Sequence, residues 1–158
     1  DATPDEVKTI YAEKSAYYHR LVNTATPTIP GVAEVLQFVK DSGSQIWVVT
    51  GSGMRTLLDS LNTVFPSVFQ KDRMITAFDV THGKPDPEPY LKAWERSGLK
   101  KEQCFVIENA PLGIRSGKAA GLTVYAVNTG ILTKEDLAQA DQVFDNMTEL
   151  LAFLQEER

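Results

Sequence analysis

The 158-residue chain has one cysteine, Cys104, and two histidines, His19 and His82. A single cysteine excludes an internal disulfide. Its place in the apolar run Cys104-Phe105-Val106-Ile107 suits a small buried hydrophobe better than a nucleophile. A reduced, cytoplasmic setting is expected. Two distant histidines and one cysteine do not furnish a zinc or haem site. No apolar run approaches the ~20 residues that cross a bilayer, so no membrane partner is expected. The opening residues, Asp1-Ala2-Thr3-Pro4-Asp5-Glu6, have neither the basic nor the apolar stretch of a signal peptide. Positive charge is scarce too. The net charge is -5, and the densest basic pair, Lys100-Lys101, is answered at once by Glu102. That argues against a nucleic-acid partner. There is no internal repeat and no low-complexity segment, and the length suits one domain.

What is present is an alternation of helices with short apolar strands. Thr3-Pro4-Asp5-Glu6 is a helix start with a capping-box pattern, and the helix runs to about Leu21. The polar stretch 23–28 reads as a linker. Pro30-Gly31 opens a second helix, with Val32, Val35, Leu36 and Val39 at helical spacing, and Gly43 closes it. Gln45 to Thr50 predicts a strand buried on both faces. Gly51-Ser52-Gly53 turns into a helix over Met54 to Leu61, and Phe65 to Phe69 is a turn with aromatic anchors. Met74 to Ala77 predicts a strand. Asp86 can cap the next helix, with Pro87 at its first position and Gly98 at its end. Cys104 to Ile107 is a strand, followed by a helix from Pro111 to Ala120. Thr123 to Asn128 is another strand, Thr133 starts a short helix, Val143-Phe144 is a brief strand, and Met147 to Leu154 is a terminal helix. Such alternation predicts an α/β fold with a parallel sheet and helices on both faces.

Ligands of open parallel sheets bind at the carboxyl ends of the strands. The polar residues of this chain collect there: Thr50-Gly51-Ser52, Lys84 in the loop after the second strand, Glu108-Asn109, and Asn128-Thr129-Gly130. Amides near Gly51 and Gly53 suit a phosphate, although an ordinary strand-to-helix turn reads the same way. Neither a dinucleotide fingerprint nor a P-loop is present, since Thr56 stands where the third glycine belongs. Lys84, held between Gly83 and Pro85, can neutralise a phosphoryl oxygen or a carboxylate. Glu108 and Asn109 can offer oxygen to a hard cation. A solvated turn is the plainer alternative for them, as turn chemistry is for Asn128 and Thr129.

Three segments together resemble the haloacid dehalogenase-like phosphatase superfamily, in its beta-phosphoglucomutase-like branch. Val48-Val49-Thr50-Gly51-Ser52 is similar to the second motif, Gly83-Lys84-Pro85-Asp86-Pro87-Glu88-Pro89-Tyr90 to the third, and Val106 to Gly113 with Ala119-Ala120-Gly121 to the fourth. The resemblance implies a Rossmann-like three-layer fold and Mg²⁺ as cofactor. It implies Thr50 and Lys84 as catalytic residues, Thr50, Gly51, Ser52 and Lys84 as the phosphate site, and Glu108 and Asn109 as metal ligands. It further implies phosphatase or phosphomutase action on a small phosphomonoester, a sugar phosphate above all; a monomer is a separate expectation. Two departures stand out. Asn109 replaces the family's usual second acid. The Asp-x-Asp that supplies the family's nucleophile and general acid is not among these residues. By the resemblance, residues 1–22 are the last helix of an otherwise absent helical cap. Residues 23–158 are then a core without its first, central strand, and the piece alone is expected to be inactive. A fragment of this kind leaves two strand edges unpaired. The alternative is a non-catalytic phosphate-binding or interaction domain on the same scaffold.

Overall fold

A computed structural model describes residues 3–21, 28–53 and 57–157. The linker expected at 23–28 and the start of the helix expected at Met54 lie almost wholly outside the described residues. Helix α1 spans Pro4–Leu21 and opens as its sequence predicts. The Thr3 hydroxyl accepts from the Glu6 amide at 3.3 Å, and the Glu6 carboxylate accepts from the Thr3 amide at 2.7 Å.

The remaining elements run α2 (Val32–Asp41), β1 (Val48–Val49), α3 (Leu57–Val64), β2 (Met74–Ile75), α4 (Glu88–Ser97), β3 (Phe105–Glu108), α5 (Pro111–Ala119), β4 (Thr123–Val127), α6 (Lys134–Leu137), β5 (Gln142–Phe144) and α7 (Met147–Glu156). The class is α/β with every strand pair parallel. The single sheet implied by the alternation is observed as two. β1 pairs β2, and β3, β4 and β5 form the second sheet in that order. No ladder joins β1 to β3 among the described residues. Of the two strands nearest this break, β1 is short and β3 keeps four residues. β1 holds two residues where Gln45 to Thr50 were expected. On β3, Phe105 and Ile107 remain 42% and 37% exposed. β2 stops early for a local reason. The Thr76 hydroxyl and amide both donate to the Asp79 carboxylate, at 2.7 and 2.8 Å, which turns the chain out of the strand.

The three-stranded sheet carries helices on both faces, as alternating side chains on parallel strands require. On one face Val124 and Ala126 pack with Val106, Tyr90, Ile114 and Leu137. On the other, Val127 and Phe144 pack with Val35 and Leu150. Leu150, Ile114 and Leu137 are fully buried, each contributing ~1.5–3 kcal/mol of apolar transfer. Gly98 takes a left-handed φ of 70° and closes α4 where expected. Cys104 is half-buried rather than a full core member, and its thiol faces the Lys100 carbonyl at 3.4 Å. Among the described residues, no helix is long and apolar enough to cross a membrane.

Candidate active site

In a parallel pair the backbone groups of successive residues face opposite neighbours. The Thr50 amide donates to the Ile75 carbonyl at 2.9 Å, so Thr50 faces β2. The Val49 carbonyl therefore faces the other way, into the break between the sheets. Lys84 satisfies it there, with Nζ at 3.0 Å. The same ammonium donates to the Glu108 Oε1 at 2.6 Å and to the Tyr90 hydroxyl at 3.0 Å. A lysine ammonium has three N–H groups, and these three acceptors use all of them.

Glu108 is equally committed. Its Oε1 accepts from Lys84 and from the Tyr90 hydroxyl, the latter at 2.7 Å. Its Oε2 accepts from the Asn109 and Ala110 amides at 3.0 and 3.3 Å. The two charged side chains are 17% and 9% exposed, so the pair is largely shielded from water. Tyr90 is buried beneath them. Burial first, then the negative charge of Glu108, hold its phenol far above the usual tyrosine range, so it stays a donor.

Each group is brought here by its element. Glu108 is the last residue of β3, where the strand delivers it to the carboxyl edge. Tyr90 lies in the first turn of α4, whose start is stabilised by the Asp86 carboxylate accepting from the Glu88 amide at 2.9 Å. The Lys84 loop is fastened to α5 by the fully buried Ser116, whose hydroxyl donates to the Asp86 carbonyl at 2.6 Å. Gly113 makes room for the Glu108 carboxylate. A Cβ on Gly113 would stand 1.9 Å from the Glu108 Oε1.

The other expected site residues lie at the same edge but are turned differently. Thr50 adjoins Val49 in the chain, and its hydroxyl oxygen accepts from the Ser52 amide at 3.1 Å. The Ser52 carbonyl in turn accepts from the Ala77 amide at 3.2 Å, tying the Gly51-Ser52 turn to the exit of β2. The Asn109 side-chain amide reaches toward the Thr129 hydroxyl at 3.5 Å. Asn128 behaves as turn chemistry, its side-chain oxygen accepting from the Gly130 amide at 2.8 Å. Tyr90, Gly113 and Ser116 belong to the site but were not singled out for it by the sequence. The only signal for them was their place in segments already marked by Lys84 and Glu108.

The described residues do not fit a magnesium ion by themselves. No three His, Cys, Asp or Glu side chains converge among them. They offer one carboxylate with both oxygens already bonded and one neutral amide, against the roughly six oxygens such an ion takes. A carboxylate at the amide's position is expected to change this. Asn109→Asp should tighten Mg²⁺ binding by the full-length protein about tenfold in a calorimetric titration. Unchanged or weaker binding would remove residue 109 from any ligand role.

Known proteins place this geometry in context. The haloacid dehalogenase-like hydrolase family matches residues 2–127. Validoxylamine A 7'-phosphate phosphatase from Streptomyces hygroscopicus subsp. limoneus is 35% identical over 144 residues, covering 91% of this chain and 67% of its own length. Hexitol phosphatase A from Escherichia coli K12 is 32% identical over 126 residues, covering 77% of this chain and 55% of its own. A solved structure from Bacteroides vulgatus, described provisionally as a beta-phosphoglucomutase, superposes with a TM-score of 0.86 at 43% identity. It covers 98% of this chain, which spans 63% of its length. The chain thus covers about two thirds or less of these relatives. Matched in sequence over most of its length and in fold over nearly all of it, the chain belongs to the haloacid dehalogenase-like hydrolase family.

Proposed function

We propose that the protein transfers the phosphoryl group of a small phosphomonoester, a sugar phosphate by class, and that this chain carries the phosphate-handling edge of its site. The observation that carries this reading is Lys84. A shielded ammonium, 2.6 Å from Glu108, stands where the carboxyl ends of β1 and β3 face each other. Positive charge in a partly dry site stabilises the oxygens of a transferring phosphoryl group far better than charge in open water. The named relatives include a hexitol phosphatase and a validoxylamine A 7'-phosphate phosphatase, which supports the substrate class.

In this reading an aspartate outside residues 1–158 attacks phosphorus. The aspartyl O–P bond forms as the ester P–O bond breaks, and the second acid of the Asp-x-Asp, also outside these residues, protonates the leaving alcohol; water or an acceptor hydroxyl then takes the phosphoryl group and frees the aspartate. Lys84 neutralises a non-bridging oxygen. Thr50 accepts from the Ser52 amide, so its own hydroxyl hydrogen is directed elsewhere and can donate to a second oxygen. Glu108 holds Lys84 in place. Magnesium is proposed as cofactor of the whole protein on family grounds, with further oxygen donors needed beyond Glu108 and Asn109. Cytoplasmic location and a monomeric state belong to the same proposal.

The test is phosphate release by the full-length protein from a panel of sugar phosphates in Mg²⁺ buffer. Turnover is expected for at least one of them, and Thr50→Ala is expected to lower kcat at least about tenfold. Full turnover by Thr50→Ala would remove Thr50 from the phosphate site. Saturable phosphate binding without any turnover would favour the non-catalytic reading, for which Asn109 is the feature in hand.

A further inference from the structure

We infer that Tyr90 is a positioning residue: its hydroxyl keeps the Glu108 carboxylate in place while Lys84 hands one N–H from Tyr90 to a phosphoryl oxygen. The inference rests on the phosphoryl-transfer reading above and extends it. Its starting point is that Lys84 has no uncommitted N–H. Its three acceptors are the Val49 carbonyl at 3.0 Å, the Tyr90 hydroxyl at 3.0 Å and the Glu108 Oε1 at 2.6 Å. An incoming phosphoryl oxygen must displace one of them.

The three differ in what their loss costs. The bond to Glu108 is the shortest and joins opposite charges, the strongest kind available. The Val49 carbonyl faces the break between the two sheets, so losing Lys84 there strips it of this partner. Tyr90 is the least demanding. When Lys84 leaves, the hydroxyl still donates to Glu108 at 2.7 Å, and only its weaker acceptor role lapses. The same bond explains why a hydroxyl is needed. Once Lys84 is shared with an anion, Glu108 Oε1 retains a second donor only because Tyr90 supplies it.

The experiment uses full-length protein with a turned-over sugar phosphate. Tyr90→Phe is expected to lower kcat about tenfold while KM changes less than about twofold, because the hydroxyl acts on the charge pair and not on substrate. Lys84→Met is run in parallel. If Lys84→Met abolishes turnover and Tyr90→Phe leaves kcat intact, the inference about Tyr90 fails and the phosphoryl-transfer reading stands. If Lys84→Met leaves turnover unchanged, both fail. A second measurement does not need the variant to fold. In wild-type protein carrying ¹³C at the tyrosine Cζ, inorganic phosphate is expected to shift the Tyr90 signal saturably as Lys84 leaves its oxygen. A Tyr90 signal that stays put while phosphate binds would overturn the exchange.

Discussion

Gly113→Ala is expected to leave the protein folded and to lower phosphate release at least about a hundredfold. The single added methyl has nowhere to go. It would stand 1.9 Å from the Glu108 Oε1, 2.0 Å from the carboxyl carbon and 2.4 Å from Oε2. The backbone raises no objection. Gly113 lies within α5, where alanine is favoured over glycine by roughly 0.5–1 kcal/mol. The conflict therefore falls wholly on Glu108, which must swing out. It then loses Lys84, the Tyr90 hydroxyl and the Asn109 and Ala110 amides. Breaking a shielded ion pair costs about 3–5 kcal/mol, and the helical gain offsets a fraction of that. A thermal melt should show a cooperative transition lowered by several degrees, beside nearly absent turnover. Wild-type turnover from the Gly113→Ala variant would show that the position of Glu108 does not matter to the reaction.

Lys84→Met is expected to remove turnover by a factor of at least about 10² and to destabilise the fold by about 3–5 kcal/mol. Methionine fills much of the lysine's space but donates nothing. Glu108, 9% exposed, is left as a buried charge without its cation, and the Val49 carbonyl loses its donor. The two losses can be separated. Adding Glu108→Gln to Lys84→Met removes the stranded charge, so much of the stability should return while activity does not. Recovery of activity in that double variant would mean that Lys84 serves only to neutralise Glu108. Lys84→Arg should also lose activity. A planar guanidinium cannot direct three donors to Val49, Tyr90 and Glu108 as the compact ammonium does.

Much of the local structure was legible in the residues. Thr3 and Glu6 announced the start of α1, and Thr133 with Asp136 that of α6, because a capping box is an exchange within four residues. Gly98 announced the end of α4 for the same reason of short range. Strand length was less legible. Gln45 to Thr50 is apolar enough for a full strand, yet only Val48–Val49 pair, because a strand extends only as far as a neighbour's ladder supports it. The division into two sheets is not written in any single residue, and only the resemblance led to the expectation of two unpaired strand edges.

For the site, the sequence by itself determined which side chains gather at the carboxyl edge. Lys84 in its proline frame and Glu108 at a strand end are local facts, and the strand direction carries both to one side. Only the tertiary structure decided what they do there. Glu108 was expected to offer oxygen to a metal, with a solvated turn as the plainer alternative, and the fold brings Lys84, Tyr90 and two backbone amides to its oxygens. Tyr90 read as the end of the third motif, and it is a buried aromatic with its hydroxyl placed inside the charge pair. Gly113 read as one more residue of a motif, and it is the floor on which the carboxylate rests. The physical reason is range. Capping and periodicity act over a few residues, whereas Lys84 and Glu108 are 24 apart and Tyr90 and Glu108 are 18 apart. Whether such groups satisfy one another depends on how α4 and α5 cross the ends of the strands, and that geometry exists only once the chain has folded.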